Sequence, residues 1–174
     1  WLYEAITATY LPVLQELQKL GSVAAGARLT MSLSPTLCSM LRDKLLLDRY
    51  RGYLDRLLRL GEEELTRAKN QPEQAELVRF YLSRFTELRA LFRSLDGDLV
   101  AAFGELQNRG IVELITTCAT HAYLPVVQKP SARRAQLIIA VRHYRECFGR
   151  YPRGIWLPEC GYVDGLDQLL AELD

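Results

Sequence analysis

Short apolar runs that alternate with helical segments constrain the fold of this chain more than any other feature. Three runs have the alternation or β-branched content of strands, namely ARLTMSL (27–33), GIVELITT (110–117) and GIWLP (154–158). Helical periodicity follows the last two, over residues 131–148 and 163–173. Such alternation is typical of parallel strands joined by crossovers, in an open sheet or in a barrel. The sequence therefore predicts an α/β fold with parallel strands.

Two helices are predicted around the first strand. Apolar residues at helical spacing predict one amphipathic helix over residues 2–20, which Gly21 is expected to end. Ser34 and Pro35 suit an N-cap and a first helical position. The helix that they begin is expected to run to about Asp48.

A long helical insertion separates the first two strands. Residues at about 49–109 carry apolar side chains three and four apart, and a Gln-Pro pair at 71–72 and an Asp-Gly pair at 96–97 divide them into three helices. A complete (β/α) barrel takes roughly 250 residues. We therefore expect residues 1–174 to form one partial barrel domain that contains this insertion.

Composition places the chain among globular proteins and excludes several partners. Its 174 residues are 49% hydrophobic, which suffices to bury a core. The 22 basic and 21 acidic residues leave a net charge of +1, without a long block of one sign to attract nucleic acid or an anionic membrane. No apolar stretch reaches the roughly 20 residues of a membrane span, and the first residues lack signal-peptide features. We expect a cytoplasmic protein that binds neither nucleic acid nor membranes.

Neither the cysteines nor the histidines form a metal motif. The cysteines lie far apart, without a CxxC pair, at Cys38, Cys118, Cys147 and Cys160. Buried reduced thiols are therefore expected instead of disulfides or zinc ligands. The two histidines, His121 and His143, are distant in sequence, and His143 lies in the middle of a predicted helix. No metal site is predicted.

Three segments are predicted to meet at one edge of the sheet, because each directly follows a strand. They are SPT (34–36), CATHAYLP (118–125) and PECGY (158–162). Pro158 has no N–H to give to a ladder, so the third strand is expected to end there and Glu159 to lie at the rim. Ligands of parallel sheets and barrels bind beyond the carboxyl ends of the strands, which makes this edge the predicted site.

Glu159 is the first candidate for chemistry. It lies between Trp156 and Tyr162, whose rings suit the apolar face of a sugar, so one hypothesis is a catalytic carboxylate. A helix-capping or surface glutamate is the alternative. His121, beside Tyr123, is a candidate to bind a ligand hydroxyl, and a structural histidine is the alternative for it.

Four motifs resemble a known family. LITTCATHAYLPVV, GIWLPECGY, WLYEAITATYLPVLQEL and LTMSLSPTL are similar to the catalytic domain of glycoside hydrolase family 57, particularly its 1,4-α-glucan branching enzyme group, over nearly the whole chain. The resemblance implies an incomplete (β/α)7 barrel and a retaining mechanism on α-1,4-glucans such as amylose and glycogen. It implies no metal and no organic cofactor.

The resemblance also implies residue roles. By position in the motifs, Glu159 is the nucleophile and His121 contacts the donor sugar. Trp156 and Tyr162 line the same subsite, and Tyr123, beside His121, completes the predicted substrate-binding set.

Two parts of the family pattern have no counterpart in these residues. The opening strand with its histidines is absent, and the chain begins at Trp1 inside a predicted helix, which is typical of a piece of a longer protein. The acid/base aspartate of the family belongs to a later strand, beyond Asp174. Retaining chemistry needs two carboxyl groups, so we expect the chain alone to have little or no turnover.

Several activities stay open at this point. Branching, α-amylase and 4-α-glucanotransferase activities differ in the acceptor, which these residues do not determine. A catalytically silent glucan-binding protein would keep the fold without the chemistry. A metal-dependent polysaccharide deacetylase would need clustered aspartate and histidine ligands, which the two histidines do not supply. The oligomeric state is not predicted.

Overall fold

The computed structural model describes residues 1–23 and 29–173. These residues are mostly helical, with two parallel strands, and the chain divides into two compact units. The first unit comprises Trp1–Lys19 and Leu41–Leu99, and the second comprises Leu20–Met40 and Val100–Asp174. The single partial barrel domain and the seven strands expected from the sequence stay predictions.

The N-terminal segment is helical throughout, but its geometry and its end differ from the expectation. It consists of α1 (Leu2–Ala5), one π-helical turn (Ile6–Tyr10) and α2 (Leu11–Val23). The predicted stop at Gly21 is wrong, because the helix continues through it. A Cβ at Gly21 would lie 2.2 Å from Ile111 Cδ1, so glycine serves close packing here and does not end the helix.

The helix after the first strand is shorter than predicted. Helix α3 spans Pro35–Arg42, and Ser34 Oγ accepts a hydrogen bond from Leu37 N at 3.1 Å, which confirms the N-cap. The extension to Asp48 is wrong because the backbone of Asp43 is extended, with φ −74° and ψ 116°. Asp43 Oδ1 accepts from Leu46 N at 2.9 Å and so caps the next helix.

The predicted insertion forms three helices, as expected, although it begins earlier. They are α4 (Lys44–Arg67), α5 (Pro72–Ser94) and α6 (Leu99–Asn108), with a 3₁₀ turn at Ala68–Asn70. Helices α4 and α5 approach closely at Gly61, where a Cβ would lie 2.5 Å from Leu82 Cδ2. Gly97, at φ 77°, donates its N–H to Phe92 O at 2.9 Å and closes the end of α5.

An aromatic cluster forms the core of the first unit. Tyr50 is fully buried and packs edge-on against Phe92, with ring centroids 4.9 Å apart. Its hydroxyl lies 3.0 Å from Thr7 Oγ1 on the π-helical turn, and Thr7 Oγ1 in turn donates to Tyr3 O at 2.8 Å. Burial raises the pKa of Tyr50 to about 12. The π-helical turn therefore supplies the partner of a buried phenol.

The second unit contains the two strands. Strand β1 (Leu29–Ser32) pairs in parallel with β2 (Val112–Ile115). Both are shorter than predicted, and positions 27 and 28 of the first run lie outside the described residues. Helix α7 (Pro130–Phe148) confirms the prediction for 131–148, and α8 (Leu166–Ala171) is shorter than 163–173.

The third predicted strand is wrong in its extent. The run GIWLP forms only one isolated parallel bridge, between Ile155 and Thr116. Thr116 N donates to Gly154 O at 3.2 Å and Trp156 N donates to Thr116 O at 2.8 Å. Pro158 cannot continue such a ladder, so the pairing ends after one bridge. The position and the parallel direction of the run are as predicted.

Within residues 1–23 and 29–173, no helix has both the length and the apolar composition that crossing a membrane requires. The cytoplasmic location stays a prediction.

Replacing Asp43 by alanine should remove the cap of α4. We expect Asp43→Ala to lower the free energy of unfolding by about 1 kcal/mol, because Leu46 N–H loses its acceptor. Urea unfolding followed by circular dichroism measures the change. Asp43→Asn keeps a side-chain oxygen and should stay close to wild type, and equal losses in both variants would contradict the capping role.

Replacing Tyr50 by phenylalanine should change stability in a pH-dependent way. The unfolded chain loses the phenolic proton near pH 10, whereas the folded chain keeps it to about 12, so the wild type should lose up to about 2 to 3 kcal/mol as pH rises between these values. Below pH 10 this contribution is constant, and Tyr50→Phe should cost about 1 kcal/mol through the lost hydrogen bond.

Urea unfolding from pH 8 to pH 11.5 compares the two proteins, with Tyr81→Phe as the control that removes an exposed hydroxyl on α5. A decline of the same size in wild type and Tyr50→Phe would contradict the assignment.

Candidate active site

Hydrogen bonds at Thr116, directly after β2, bring two site segments side by side. Because Ile155 pairs in parallel with Thr116, the chain leaves both segments in the same direction, and His121 and Glu159 follow at the same end. His121 Nε2 lies 3.2 Å from Glu159 Oε1. In the third predicted segment, SPT (34–36), the Ser34 hydroxyl caps α3.

Glu159 occupies a tight, strained turn. It lies in a 3₁₀ turn over Pro158–Cys160, with φ 51° and ψ 27°, and Cys160 follows with φ 56°. Two consecutive non-glycine residues with positive φ cost roughly 1 to 2 kcal/mol each. The turn is held by hydrogen bonds from Cys160 N to Leu157 O and from Gly161 N to Pro158 O, both 3.0 Å long. The Glu159 side chain is 73% exposed.

His121 is also held in a left-handed conformation. Its φ is 55°, its N–H donates to Cys118 O at 3.2 Å, and its side chain is 48% exposed. An ionised carboxylate only accepts hydrogen bonds, so Nε2–H is the donor to an ionised Glu159. A pair this exposed contributes about 0 to 1 kcal/mol to stability. The contact therefore contributes more to the relative position of the His121 and Glu159 side chains than to the stability of the fold.

Three aromatic side chains of the predicted site are exposed, namely those of Tyr123, Trp156 and Tyr162. A Cβ at Gly161 would lie 2.3 Å from Tyr123 Cε2, so the Tyr123 ring packs onto the backbone two residues after Glu159. The Tyr162 hydroxyl donates to Asp167 Oδ1 at 3.0 Å, and this hydrogen bond raises the Tyr162 pKa. The structure thus brings Tyr123 to the segment of Glu159, and the exposed Trp156 and Tyr162 rings remain candidates for a ligand surface by their place in the sequence.

A small apolar core lies under the site segments. Its buried members are Cys118, Leu124, Leu137 and Leu166, and partly buried Ile155, Leu157, Val163, Leu169, Leu170 and Leu173 pack against it. Burial raises the pKa of Cys118 to about 11, so this thiol stays neutral and apolar in function. The same core supports the loop of His121 and the segment that leads to Glu159.

In the described part of the chain, none of the four cysteines forms a disulfide. Cys38 and Cys118 are buried, as expected. The expectation is wrong for Cys147, which is half-buried, and for Cys160, which is exposed. Among the residues that the structure describes, no group of three or more His, Cys, Asp and Glu side chains could hold a metal ion. His143 lies on α7 with Nε2 3.0 Å from Ser39 Oγ, away from His121 in sequence and in its contacts.

Sequence reasoning missed two residues that contact the site segments. Gln136 on α7 binds the loop before His121, with its Oε1 3.0 Å from Thr120 N. Asp167, in the first turn of α8, accepts from the Tyr162 hydroxyl. Gln136 is 16 residues from its partner, and no local motif connects the two.

The whole chain, residues 1–174, matches the family model described as glycosyl hydrolase family 57. A 1,4-alpha-glucan branching enzyme from Thermococcus kodakarensis is 36% identical over 162 residues, which are 93% of this chain and 24% of the relative. The chain thus spans about a quarter of that relative's length.

Two solved structures are also similar. An alpha-amylase from Thermotoga maritima has a TM-score of 0.92 and 38% identity, over 99% of this chain and 33% of that one. A GH57-type branching enzyme from Pyrococcus horikoshii has a TM-score of 0.89 and 39% identity, over 92% of this chain and 30% of that one. Since the family model covers every residue and these relatives share more than a third of the aligned positions, the chain belongs to glycosyl hydrolase family 57.

Proposed function

We propose that the protein is a retaining α-glucan transglycosidase that cleaves α-1,4 bonds and forms α-1,6 branches, with Glu159 as its nucleophile. The observation that carries the proposal is the 3.2 Å contact between His121 and Glu159, two motif residues that follow neighbouring parallel segments. The names of the Thermococcus and Pyrococcus relatives, both branching enzymes, support the choice of reaction.

In the first step, the Glu159 carboxylate attacks C1 of the donor glucan. The bond from C1 to the leaving O4 breaks, the leaving oxygen takes a proton from a general acid, and a glycosyl-enzyme ester forms on Glu159. In the second step, the 6-hydroxyl of another glucan attacks C1, gives its proton to the same group acting as base, and releases Glu159. The stereochemistry at C1 is retained because it inverts twice.

The acid/base group in this proposal is an aspartate beyond Asp174. Retaining chemistry requires its carboxyl group about 5 to 5.5 Å from that of the nucleophile. The openness of Glu159, which is 73% exposed, fits a site that further residues of the protein complete and enclose. We therefore expect little or no turnover from residues 1–174 alone.

The remaining site residues bind the donor sugar in this proposal. The His121 imidazole, half exposed beside Glu159, hydrogen bonds a sugar hydroxyl close to C1. The rings of Tyr123, Trp156 and Tyr162 cover apolar faces of glucose units, as their exposure allows. The partner is an α-1,4-glucan such as amylose or glycogen, and the chemistry uses no metal or organic cofactor.

An α-amylase is the second candidate, because the Thermotoga relative carries that name at 38% identity. The first step is then unchanged, and water replaces the 6-hydroxyl in the second. A 4-α-glucanotransferase would use a 4-hydroxyl instead, and a silent glucan-binding protein would perform neither step. The acceptor decides among these activities, so product analysis separates them.

Glu159→Gln should abolish catalysis while the fold is kept. We expect at least about a thousandfold loss of kcat, the scale typical of removing an essential catalytic group. Incubation of the full-length protein with amylose, with α-1,6 linkages and reducing ends counted separately, measures both the loss and the reaction type.

Glu146→Gln, the same change at an exposed position of α7, is the matched control and should keep wild-type activity. Reducing ends without branches would identify a hydrolase. Wild-type turnover in Glu159→Gln would make Glu159 structural and overturn the proposal.

Gly161→Ala should weaken glucan binding by displacing Tyr123. Gly161 has an ordinary φ of −78°, so the strain comes only from the new Cβ, which would lie 2.3 Å from the Tyr123 ring and 3.0 Å from Pro125 Cδ. We expect the Kd for a maltooligosaccharide to rise roughly tenfold, equivalent to about 1.4 kcal/mol. Isothermal titration calorimetry measures the change.

Gly52→Ala on α4 is the control, because apart from the adjacent backbone of its own helix no atom lies within 4 Å of the added Cβ. It should bind like wild type and gain roughly 0.5 to 1 kcal/mol of stability through helix propensity. If Gly161→Ala also binds like wild type, Tyr123 does not contribute to the sugar surface.

A further inference from the structure

One side chain of α7 makes several contacts with the loop that carries His121. Gln136 Oε1 accepts from Thr120 N at 3.0 Å, and Gln136 Nε2 donates to Thr120 Oγ1 at 2.8 Å. The main-chain oxygen of Gln136 accepts from Ala119 N at 3.1 Å. Three hydrogen bonds from one residue therefore hold the two positions that precede His121.

These contacts act on a strained part of the backbone. His121 has φ 55°, a region that non-glycine residues rarely occupy, and such a conformation persists only when its surroundings fix it. With Ala119 N and Thr120 N bound to Gln136 and His121 N bound to Cys118 O, each of three consecutive N–H groups has an acceptor. The loop is thereby fixed up to the residue that reaches Glu159.

Gln136 is itself held in place by the core. The next residue, Leu137, is buried with Cys118 and Leu124, and Ala140 and Tyr144 are buried further along α7. The spacing of these residues puts them on one face of the helix, so the rotation of α7 about its axis is fixed. Gln136 therefore offers a fixed pair of donor and acceptor atoms at the edge of that face.

We propose that Gln136 is a positioning residue, which holds His121 at hydrogen-bond distance from Glu159 and so orients it for the donor sugar. The inference rests on the proposed function, because it is there that His121 binds the sugar. Gln136 acts through the loop and not on the substrate. Displacement of a substrate-positioning group by about 1 Å costs up to roughly a hundredfold in rate, which sets the scale of the effect.

Gln136→Leu and Gln136→Glu in the full-length protein test this role. Leucine removes both side-chain hydrogen bonds, and we expect kcat/KM on amylose to fall roughly tenfold to a hundredfold. Glutamate offers two oxygens that accept from Thr120 N–H and Thr120 O–H, and it should restore most of the activity. Gln74→Leu, the same change at an exposed position of α5, is the control and should match wild type.

A double-mutant cycle separates positioning from general stability. In a His121→Ala background, Gln136→Leu should cost less than about twofold, because the residue through which it acts is already gone. An unchanged penalty in that background, or wild-type activity of Gln136→Leu, would overturn the proposal.

A readout without activity keeps this inference distinct from the catalytic proposal. The imidazole ¹⁵N signal of His121, assigned by its loss in His121→Ala, should move in Gln136→Leu and stay in Gln136→Glu, with His143 as internal reference. A shift combined with wild-type turnover of Glu159→Gln would sustain the positioning role and reject the catalytic one. An unmoved signal would reject the positioning role.

A second pair of variants covers the case in which Gln136→Leu does not fold. Thr120→Val removes the Oγ1 that accepts from Gln136 Nε2, whereas Thr120→Ser keeps it. The His121 signal should move in Thr120→Val and not in Thr120→Ser. Identical spectra for both variants would contradict the role of this contact.

Discussion

The pairing of Thr116 with the segment Gly154–Trp156 is the constraint on which the candidate site depends. Thr116 N donates to Gly154 O and Thr116 O accepts from Trp156 N, and together these bonds put two distant parts of the chain in parallel contact. The residues after Thr116 and the residues after Trp156 therefore run in the same direction. His121 and Glu159 meet at 3.2 Å because each lies a few residues beyond this single bridge.

One bridge would not hold two strained loops, and the apolar core beneath them supplies the rest. Cys118 and Leu124 anchor the two ends of the His121 loop in the same cluster that contains Leu137 of α7 and Leu166 of α8. Above this core, positive φ angles at His121 and Glu159 store strain at the residues proposed for chemistry, as functional sites often do. The packing of this apolar core and the hydrogen bonds from Gln136 of α7 offset that strain.

Local signals were sufficient for much of the fold. The Ser34 cap, the break at Pro72 and the helical period of α7 are short-range features, and the structure agrees with each. Two predictions failed where a distant contact decided the outcome. The sequence predicts that Gly21 ends the helix, yet α2 continues through Gly21, where Ile111 packs closely against the backbone. The run GIWLP has the composition of a strand, but its pairing is limited to the one bridge that Thr116 offers.

The sequence by itself determined the family and the rim location of Glu159, because motif residues and Pro158 are local properties of the chain. It also determined the predominance of helix between the two strands, since helical periodicity needs no partner to be recognised. Only the tertiary structure decided that His121 reaches Glu159, that Tyr123 packs on Gly161 and that Gln136 holds the His121 loop. These contacts join residues 16 to 38 positions apart, and their geometry depends on how the core orients α7 and the strand ends.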